Sequence, residues 1–567
     1  MSAVLPPFPL GEGWGKGGLR VAEPSAKYVV EGEVPLIRGF DLLATAFGGA
    51  ARLRALIVSL ALSGRLIPPA SGVVWPLVRL SDLGPTFQNG ASSRGDVGGV
   101  PTTVIRLADV KAGEINPTDP RVLPIRASDS AKYLLKQGDI LVIRVNGSAD
   151  LVGRFIVCRS DMAAIHCDHF IRMRFDAALV APEYMRLVGD SASVRASVAS
   201  LFVSTAGQKT VNQVHVGSIK VNLPPVAEQH RIVARVEELM ILCDALEQSG
   251  RLADEQHARL TSTLCDALAA SESAHALAEN WQRIAEHFDL LLDRSEAIDA
   301  LEQTISQLAV RGALVRQDAL ETTGEDLLKR CILASGVSGR RVRAVQAPPS
   351  EEEVPFSVPT GWVWARFGDV ADVSGGVTLG RKGTPAQPMC LPYLRVANVQ
   401  RGKLNLIAEV KNVTVDASEV SRFQLRSGDL LIAEGGDWDK VGRTCIWREE
   451  ISGCLHQNHI FKARGWTPEW LPAWGELFLN SADARSYFAA SAKQTTNLAS
   501  INMTELRYLA FPLPPLAEQH RIVARVEELR RLCYQLRERL TEARRTQSQL
   551  AEALVQQVTN APNPSVG

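Results

Sequence analysis

The chain lacks several features that would place it quickly in a class of protein. It has no run approaching the ~20 consecutive apolar residues of a membrane-spanning helix, so no such helix is expected. Its nine cysteines are scattered without paired spacing, which favours reduced thiols in a cytoplasm over a disulfide scaffold. It has no net charge, since 62 basic residues balance 62 acidic ones. That balance argues against a histone-like polycation but leaves room for local basic surfaces.

Recognisable catalytic and cofactor motifs are missing too. The segment Gly375–Lys382 does not match the pattern of a phosphate-binding loop, because Arg381 rather than Lys follows Gly380 and no Ser or Thr stands at the next position. The Asp437-Trp438-Asp439-Lys440 stretch contains an Asp-x-Lys pattern like that of metal-dependent nucleases. His166-Cys167-Asp168-His169 could offer metal ligands, but its spacing is not a standard zinc pattern. We therefore expect no catalytic residue, no metal and no cofactor on this chain, and variable polar loops at these positions.

What the chain does contain is a duplication. Residues 227–239 read Ala-Glu-Gln-His-Arg-Ile-Val-Ala-Arg-Val-Glu-Glu-Leu, and residues 517–529 repeat them letter for letter, 290 residues further along. A second matched pair starts at Phe40-Asp41-Leu42-Leu43 and Phe288-Asp289-Leu290-Leu291, at a constant offset of 248 residues. Such offsets are far too long for a solenoid repeat and match a whole module. The repeating order is therefore leading helix, module, trailing helix.

The trailing helices are predicted to be long. Apolar residues alternate at spacings of three and four from Ile232 to Leu264, and again from Ile522 to Leu554, as in a coiled-coil seam. At 1.5 Å per residue, a helix over 226–269 would span roughly 66 Å. The first trailing helix runs into the second leading helix. The remaining two helices lie near the termini, where they could rebuild a second such region. This order is typical of a circular, pseudo-twofold arrangement in which both chain termini lie in one of the two helical regions.

The two modules share a skeleton and differ in their loops. Arg106–Val110 parallels Arg395–Val399, and Gly138-Asp139-Ile140-Leu141 parallels Gly428-Asp429-Leu430-Leu431. The modules are mildly basic and read as mixed α/β, with short β-rich runs between Gly, Asp and Asn turns. Arg, Lys, Gln and Asn in divergent loops are the residue types that read base edges and phosphates. The candidate DNA-binding residues are Gln88, Asn89, Ser92, Arg94, Arg144, Asn146, Gln208, Lys209, Arg381, Lys382, Asp437, Trp438, Lys440, Lys493, Gln494 and Thr495.

The arrangement resembles the specificity (S) subunit of type I restriction–modification systems over about residues 40–558. The paired Leu-Pro-Pro-(Val/Leu)-Ala-Glu-Gln-His-Arg-Ile-Val-Ala-Arg-Val-Glu-Glu-Leu is the most specific motif, supported by Pro392–Val399 and Gly312-Ala313-Leu314-Val315. The first copy departs most from the family pattern, at Val104-Ile105-Arg106. The resemblance implies an α+β fold in which two mixed α/β target recognition domains are separated by long antiparallel coiled-coil helices in a pseudo-twofold circular arrangement.

The expected domains follow from this resemblance. They are a flexible Gly/Pro-rich tail (1–35), a leading helix (36–70), a first recognition domain (71–223), a central coiled-coil region (224–345), a second recognition domain (346–512) and a C-terminal trailing helix (513–567).

The family also implies a cytoplasmic, non-catalytic, DNA-binding role in phage defence. Each recognition domain would read one half of an asymmetric, bipartite double-stranded DNA site, without membrane contact. Two methyltransferase subunits and restriction–translocase subunits would be the partners. S-adenosylmethionine, ATP and Mg²⁺ would be used on those other subunits. The residues expected to dock subunits or form the coiled coil are Glu228, Gln229, Arg231, Ile232, Val236, Leu239, Glu518, Gln519, Arg521, Ile522, Val526 and Leu529.

Two other classes of function stay open on the sequence. The chain could be a coiled-coil assembly adaptor whose two modules bind protein, or a metal hydrolase that uses the His-x-x-His strands. Salt-sensitive DNA binding separates the first alternative from the resemblance, because phosphate contacts release counterions. Metal analysis and His166→Ala or His456→Ala activity tests address the second.

Overall fold

The computed structural model describes residues 40, 42–46, 48–67, 74–92, 99–118, 120–205, 207–271, 274–337, 346–380, 385–436, 440–495 and 498–560. The expected tail over 1–35 lies outside the described residues, as do Arg94, Arg381, Lys382, Asp437 and Trp438. The described chain divides into two compact units. The first unit takes in residues up to 254 and from 542 onward, and the second takes in residues 255–541.

The described residues form helices along the whole chain. They are α1 (Gly49–Leu62), α2 (Ala127–Tyr133), α3 (Pro182–Asp190), α4 (Ala192–Leu201), α5 (Gln213–Gly217), α6 (Val226–Ala269), α7 (Ala274–Glu286), α8 (Phe288–Leu291), α9 (Ser295–Val310), α10 (Gly324–Val337), α11 (Phe367–Val370), α12 (Ala417–Phe423), α13 (Pro472–Leu479), α14 (Ala482–Ser491), α15 (Met503–Tyr508) and α16 (Leu516–Asn560). Short 3-10 turns lie at Leu80–Leu83, Leu107–Asp109 and Val396–Asn398.

Among the described residues, the strands fall into two sets of fourteen. The first set is β1 (Leu77–Arg79), β2 (Thr86–Asn89), β3 (Val100–Ile105), β4 (Val110–Lys111), β5 (Glu114–Ile115), β6 (Arg121–Ile125), β7 (Ile140–Ile143), β8 (Val145–Asn146), β9 (Phe155–Val157), β10 (Ala164–His166), β11 (Phe170–Arg174), β12 (Val203–Thr205), β13 (Gln208–Thr210) and β14 (Lys220–Asn222). The second set is β15 (Val363–Arg366), β16 (Ala371–Gly375), β17 (Pro388–Leu394), β18 (Val399–Gln400), β19 (Lys403–Leu404), β20 (Lys411–Asp416), β21 (Leu430–Ala433), β22 (Gly435–Gly436), β23 (Thr444–Ile446), β24 (Leu455–His456), β25 (Ile460–Gly465), β26 (Lys493–Thr495), β27 (Leu498–Ser500) and β28 (Ala510–Leu513).

Both units contain a β-rich module with the same sheet topology. In the first, the sheets run β2–β11–β7–β9, β10–β3–β6 and β12–β13–β8, and β1 pairs with β14. In the second, they run β16–β25–β21–β23, β20–β17–β24 and β22–β27–β26, and β15 pairs with β28. Even the single parallel pairing recurs, as β3 with β10 and β17 with β24. The predicted α+β fold with two related modules is confirmed.

The recurring Gly-Asp motif is explained by a buried ion pair in each module. Asp139 accepts two charge-assisted hydrogen bonds from Arg174, at 2.6 and 2.7 Å, and one from the backbone N–H of Lys136. Asp429 repeats this with Arg464, at 2.6 Å for both bonds, and with the N–H of Arg426. Both carboxylates are fully buried, so the motif is kept for structure, because an unpaired charge there would be costly.

The recurring Arg-x-x-(Asp/Asn) motif is a local cap. Asp109 accepts a 2.7 Å hydrogen bond from the backbone N–H of Arg106, three residues earlier. Asn398 does the same for the N–H of Arg395, at 2.8 Å. Short polar side chains favour this kind of tight turn because they satisfy backbone groups locally. The matching motifs therefore fix the same turn at the end of β3 and of β17.

The two long helices have the predicted extent. α6 contains 44 residues and α16 contains 45, so each is roughly 66 Å long at 1.5 Å per residue. In the first unit, Cys243 of α6 lies in one apolar cluster with Leu43 and Leu53 of the leading segment and Ala551 of α16. The N-terminal and C-terminal segments are thereby brought together, as the circular order predicted.

The predicted seam is only partly formed by helix–helix contact. Ile232 and Val236 belong to the core cluster of the first module, and Ile522 and Val526 to that of the second. Leu260 and Leu550, which the heptad pattern placed on the seam, are 53% and 54% exposed, so the prediction is wrong at both. Within the described residues, no helix combines the length and apolarity needed to cross a membrane.

Candidate nucleic-acid interface

The polar residues predicted from the first module converge on one region of its surface. Gln88 and Asn89 end β2, which pairs with β11 at Ile171–Asn89. Asn146 lies opposite Lys209 in the β8–β13 pair. The amide of Gln213 on α5, which follows β13 in the chain, donates a 3.0 Å hydrogen bond to Asn89 Oδ1 at the end of β2. Side chains from three distant parts of the sequence therefore meet at one edge.

Arg144 occupies the centre of this region. Its backbone N–H donates to the His169 carbonyl at 2.7 Å, and its own carbonyl accepts from the N–H of Val211 at 3.0 Å. Its guanidinium donates to the Asp168 carbonyl at 3.2 Å. The backbone is thus fixed from both sides while the side chain stays half-buried. A planar cation held this way presents its remaining N–H donors at a defined angle.

The neighbouring candidates surround Arg144 without burying it. Lys209 is half-buried, and its ammonium donates to the Gly147 carbonyl at 3.1 Å. Gln208, Asn89 and Ser92 are exposed. This edge of the first module is therefore polar and accessible, with more donors than acceptors.

The second module uses the same backbone frame with different chemistry. Glu434 stands at the position of Arg144: its N–H donates to the His459 carbonyl and its carbonyl accepts from the N–H of Ile501, both at 3.0 Å. Its carboxylate lies 2.7 Å from His459 Nδ1, an ion pair when the imidazole is protonated. The cation of the first module is thus replaced by an acid in the second, whereas the histidine, His169 or His459, is present in both.

The remaining candidates of the second module are placed less completely. Lys440 follows β22 and is half-buried. Lys493, Gln494 and Thr495 form strand β26, which pairs with β27, and β27 in turn pairs with β22. The backbone of these residues therefore occupies the place that β12 holds in the first module.

Four residues of this region were not among the predicted site residues: His169, Gln213, Glu434 and His459. The signal that would have found Glu434 is its position, because it and Arg144 both directly follow the Gly-Asp-(Ile/Leu)-Leu strand. Sequence reasoning favoured basic and amide residues and passed over Glu434, although it selected another acid, Asp437, in the same loop.

The histidine and cysteine motifs are mainly structural. His166 is buried, and its ring nitrogens lie 3.0 and 3.2 Å from the Tyr133 and Gln88 carbonyls. Burial lowers the pKa of His456 to about 3 and that of His166 to about 4. Two carbonyl partners would favour a protonated His166, but burial of the charge outweighs them, and we take the ring as neutral.

One group of possible metal ligands does form among the described residues. Ligand atoms of Cys167, Asp168 and His169 lie within 4.8 Å of one another. Burial raises the pKa of the Cys167 thiol to about 11, which disfavours the thiolate that binds metals. Arg106 and Arg121 line the same small cleft as Cys167 and His169, and their charge opposes a bound cation. The group does not fit a metal site.

Two polar residues of each repeated 13-residue stretch face inward and form buried hydrogen bonds, which the sequence did not predict. Glu228 accepts a 2.8 Å hydrogen bond from Trp75 Nε1, and Gln229 accepts one of 2.7 Å from the N–H of Ala181. In the second unit, Glu518 accepts from Trp362 Nε1 at 3.0 Å and from Gln317 Nε2 at 2.7 Å. Gln519 Nε2 donates to the Pro514 carbonyl at 3.0 Å, as Gln229 Nε2 donates to the Pro224 carbonyl at 2.8 Å. We call each Trp–Glu–Gln set a clasp: Trp75, Glu228 and Gln229, and Trp362, Glu518 and Gln519.

The clasps correct one prediction. Glu228, Gln229, Glu518 and Gln519 are between 0% and 7% exposed, so their prediction as docking residues on an open polar face is wrong. They hold each module to the start of its trailing helix instead. A buried carboxylate that accepts an indole N–H is strictly constrained, and this accounts for the identity of these positions.

Comparison with known proteins finds relatives for much of this chain. Residues 359–543 match the family model described as "Type I restriction modification DNA specificity domain". The EcoEI specificity subunit of Escherichia coli is 32% identical over 382 residues, covering 64% of this chain and 62% of that relative. The EcoAI specificity subunit, also from Escherichia coli, is 32% identical over 391 residues, covering 67% of this chain and 64% of that relative. Residues 359–543 therefore match this DNA specificity domain family, and the chain is similar to type I restriction–modification specificity subunits.

The alignments span just under two thirds of the length of these two relatives. Among solved structures, the HsdS subunit from Thermoanaerobacter tengcongensis matches with a TM-score of 0.40 and 17% identity, covering 86% of this chain and 97% of that one.

The outward face of the repeated helix is also the same in both halves of this chain. His230, Ala234, Glu237 and Glu238 are exposed, and so are the identical His520, Ala524, Glu527 and Glu528. Arg235 pairs with Glu238, and Arg525 with Glu528, each at 2.6 Å. Arg231 is exposed, whereas its counterpart Arg521 pairs with Glu321. Exposed residues rarely need to be identical for folding, so this face has a different reason to be kept.

Proposed function

We propose that this specificity subunit reads an asymmetric, bipartite DNA sequence, with one half-site for each module. The first recognition domain is taken as residues 71–223 and the second as 346–512, as the sequence predicted. The chain performs no catalysis itself and directs the methyltransferase and restriction activities of its partners in the cytoplasm. The observation that carries this proposal is the shared backbone frame with Arg144 at its centre in one module and Glu434 in the other.

The two central residues favour different bases. Arg donates two parallel hydrogen bonds to the O6 and N7 of guanine, whereas Glu accepts from the N4 of cytosine. Each good contact of this kind discriminates by ~1–3 kcal/mol against the wrong base. We infer that Arg144 selects guanine in one half-site and that Glu434, held by His459, selects an amino-bearing base in the other. An asymmetric target follows from this difference.

The surrounding polar residues supply register and affinity. Lys209, Gln208 and Asn146 in the first module, and Lys440 and the β26 residues in the second, lie on elements that flank the central residue. Cations and amides in such positions bind phosphates and base edges. Neutralising phosphates releases counterions, so DNA binding by this subunit should weaken steeply with salt.

The partners are expected to be two methyltransferase subunits and the restriction–translocase subunits. Two equivalent methyltransferase subunits need two equivalent surfaces, and the exposed face of the repeated helix provides them at His230, Glu237 and Glu238 and at their counterparts. This face replaces the buried Glu228–Gln229 set as the proposed docking surface. S-adenosylmethionine, ATP and Mg²⁺ are used by those partners.

The long helices set the distance between half-sites. At roughly 66 Å each, they could hold the modules one to two DNA turns apart, at ~34–36 Å per turn. One heptad inserted between Leu239 and Leu264, with a matching heptad in α16, adds about 10 Å. The spacer between half-sites should then lengthen by about three base pairs, at about 3.4 Å per base pair. An unchanged spacer would show that the helices are not the ruler.

Long-read detection of methylated bases tests the whole proposal. A host expressing this chain with its neighbouring methyltransferase should show a new split methylation motif. That motif should vanish on deletion of either recognition domain. An active methyltransferase without any new methylation would count heavily against the proposal. If the purified chain instead binds protein, and shows no salt-sensitive binding to DNA, it is an assembly adaptor.

A further inference from the structure

The duplication creates a pairing problem. Each leading helix must associate with the trailing helix of its own copy, yet both trailing helices begin with the same 13 residues, 227–239 and 517–529. The next apolar positions cannot distinguish the two copies either, because Cys243 and Leu246 are matched by Cys533 and Leu536. Discrimination must come from the residues that follow, where the two trailing helices diverge.

The leading and trailing helices form ion pairs at equivalent positions with opposite polarity. In the first unit, Arg54 of α1 lies 2.7 Å from Glu247 of α6. In the second unit, Glu302 of α9 lies 2.6 Å from Arg537 of α16. Arg54 and Glu302 are related by the leading-helix offset of 248, and Glu247 and Arg537 by the trailing-helix offset of 290. The same contact is therefore made twice, with its charges exchanged.

Neighbouring charges extend the inversion. Asp244 adds a second acid against Arg54, at 2.6 Å. Asp299 adds a second acid against Arg537, at 2.6 Å, and Arg530 lies 3.6 Å from Glu302. By sequence, α1 has two basic residues and no acid, whereas α9 has three acids and no base. Residues 240–251 have two acids and one Arg, whereas the equivalent 530–541 have four Arg and one Glu.

Exchange of the helices would convert every attraction into repulsion. Arg54 would face Arg537, and Glu302 would face Glu247 together with Asp244. Each pair is partly exposed, with side chains between 29% and 70% accessible. A single such pair contributes little to stability in water, but the choice between partners depends on the difference between attractive and repulsive sets.

We propose that these inverted ion pairs are a pairing code. The code commits each trailing helix to the leading helix of its own copy, and disfavours exchange within one chain or with a second copy of the chain. It begins at Asp244 in the first copy and at Arg530 in the second, shortly after the identical stretch ends at Leu239 or Leu529. The identical residues make the contacts that both copies have in common. The inverted charges determine which leading helix each trailing helix binds.

Charge reversal in the full-length chain tests the code. The exchange variant, Arg54→Glu with Glu302→Arg, keeps the net charge but gives each leading helix the charge suited to the other copy. The restoring variant adds Glu247→Arg and Arg537→Glu, so that each own-copy pair is attractive again. The control, Glu542→Arg with Arg545→Glu, reverses an exposed pair within one helix, at 2.8 Å in the native chain.

The readout is the monomer yield after refolding from denaturant, measured by size-exclusion chromatography with light scattering. We expect the exchange variant to lose monomer several-fold in low salt, to dimers and larger species. The native, restoring and control chains should stay monomeric. The loss should shrink in about 1 M salt, where the Debye length falls to about 3 Å.

Two results would overturn the code. One is native monomer yield and thermal stability of the exchange variant in low salt. The other is failure of the restoring variant to recover what the exchange variant loses, because that would show intolerance of substitution at these positions rather than a rule of charge pairing.

Discussion

The clasp of the second unit provides the sharpest test of why residues 517–529 repeat 227–239. Replacing Glu518 with Ala removes a buried carboxylate that accepts hydrogen bonds from Trp362 Nε1 and Gln317 Nε2. Hydrogen bonds to a charged group contribute ~1.5–3 kcal/mol each. Of the two donors left behind, Trp362 is buried and Gln317 is half-buried. The gross loss is therefore ~3–6 kcal/mol.

Burial of the carboxylate reduces this figure. Desolvation raises the pKa of Glu518. The ionised side chain therefore carries an unfavourable desolvation free energy in the folded state, which Ala does not. The stabilising contribution of a group with a raised folded pKa is greatest below its unfolded pKa and is lost as pH rises through the folded value. We therefore expect Glu518→Ala to cost about 2–4 kcal/mol near neutral pH. Glu518→Gln should cost less, because its amide oxygen still accepts from one donor.

Hydrogen–deuterium exchange of the segment 516–529 measures this loss locally in the full chain. A cost of about 2–4 kcal/mol corresponds to roughly 30- to 1,000-fold faster exchange, if exchange is limited by opening of the clasp. The control is Glu527→Ala, which removes an exposed acid from the same helix and should change stability by less than about 0.5 kcal/mol. Equal exchange rates for Glu518→Ala and Glu527→Ala would refute the argument that the clasp maintains the repeat.

Three further predictions concern the modules. Asp429→Asn should destabilise the second unit by about 2–4 kcal/mol, because it breaks a buried pair with Arg464; a melting temperature within a degree of the native value would contradict this. The native chain should lose stability as pH falls from about 6.5 towards 3, since burial lowers the pKa of His456 to about 3 and the unfolded state binds the proton first. His456→Leu should show a shallower loss in thermal unfolding scans across that range, and an unchanged slope would exclude His456 as the cause. Arg144→Gln should relax one half-site of the methylation motif by one base and leave the other intact, whereas Glu434→Gln should do the reverse; loss of both half-sites together in either variant would show that these residues do not read bases separately.

Much of the architecture was predictable because its determinants are local. The helix over 226–269 was located to the residue by apolar spacing and by the Pro224-Pro225 pair at its start. Strands such as β7 and β21 were predicted by apolar runs that follow a Gly-Asp turn. The seam prediction is wrong at Leu260 and Leu550. Apolar periodicity shows which face of a helix could pack against a partner, but it does not show that a partner helix lies there.

The candidate site was predictable only in part. Gln88, Asn146 and Lys209 were selected by residue type, and the fold brings them to one edge through strand pairings that no local pattern encodes. Glu434 and His459 were missed because the search favoured donors. The structure supplies the decisive observation that Glu434 and Arg144 share one backbone position.

The two copies of one unit are recognisable from the amino-acid sequence of this chain, because identical and periodic residues are visible without coordinates. The sequence also determined where the long helices run, since helix formation depends on neighbours along the chain. Tertiary structure alone decided which way the repeated residues face. Glu228 and Gln229 look like a solvent face by composition, but Trp75 and the backbone at Ala181 offer buried donors that only a carboxylate or amide oxygen satisfies. It also decided that Arg54–Glu247 and Glu302–Arg537 are one contact with its charges exchanged, because ion pairs between distant helices depend on packing rather than on sequence neighbours.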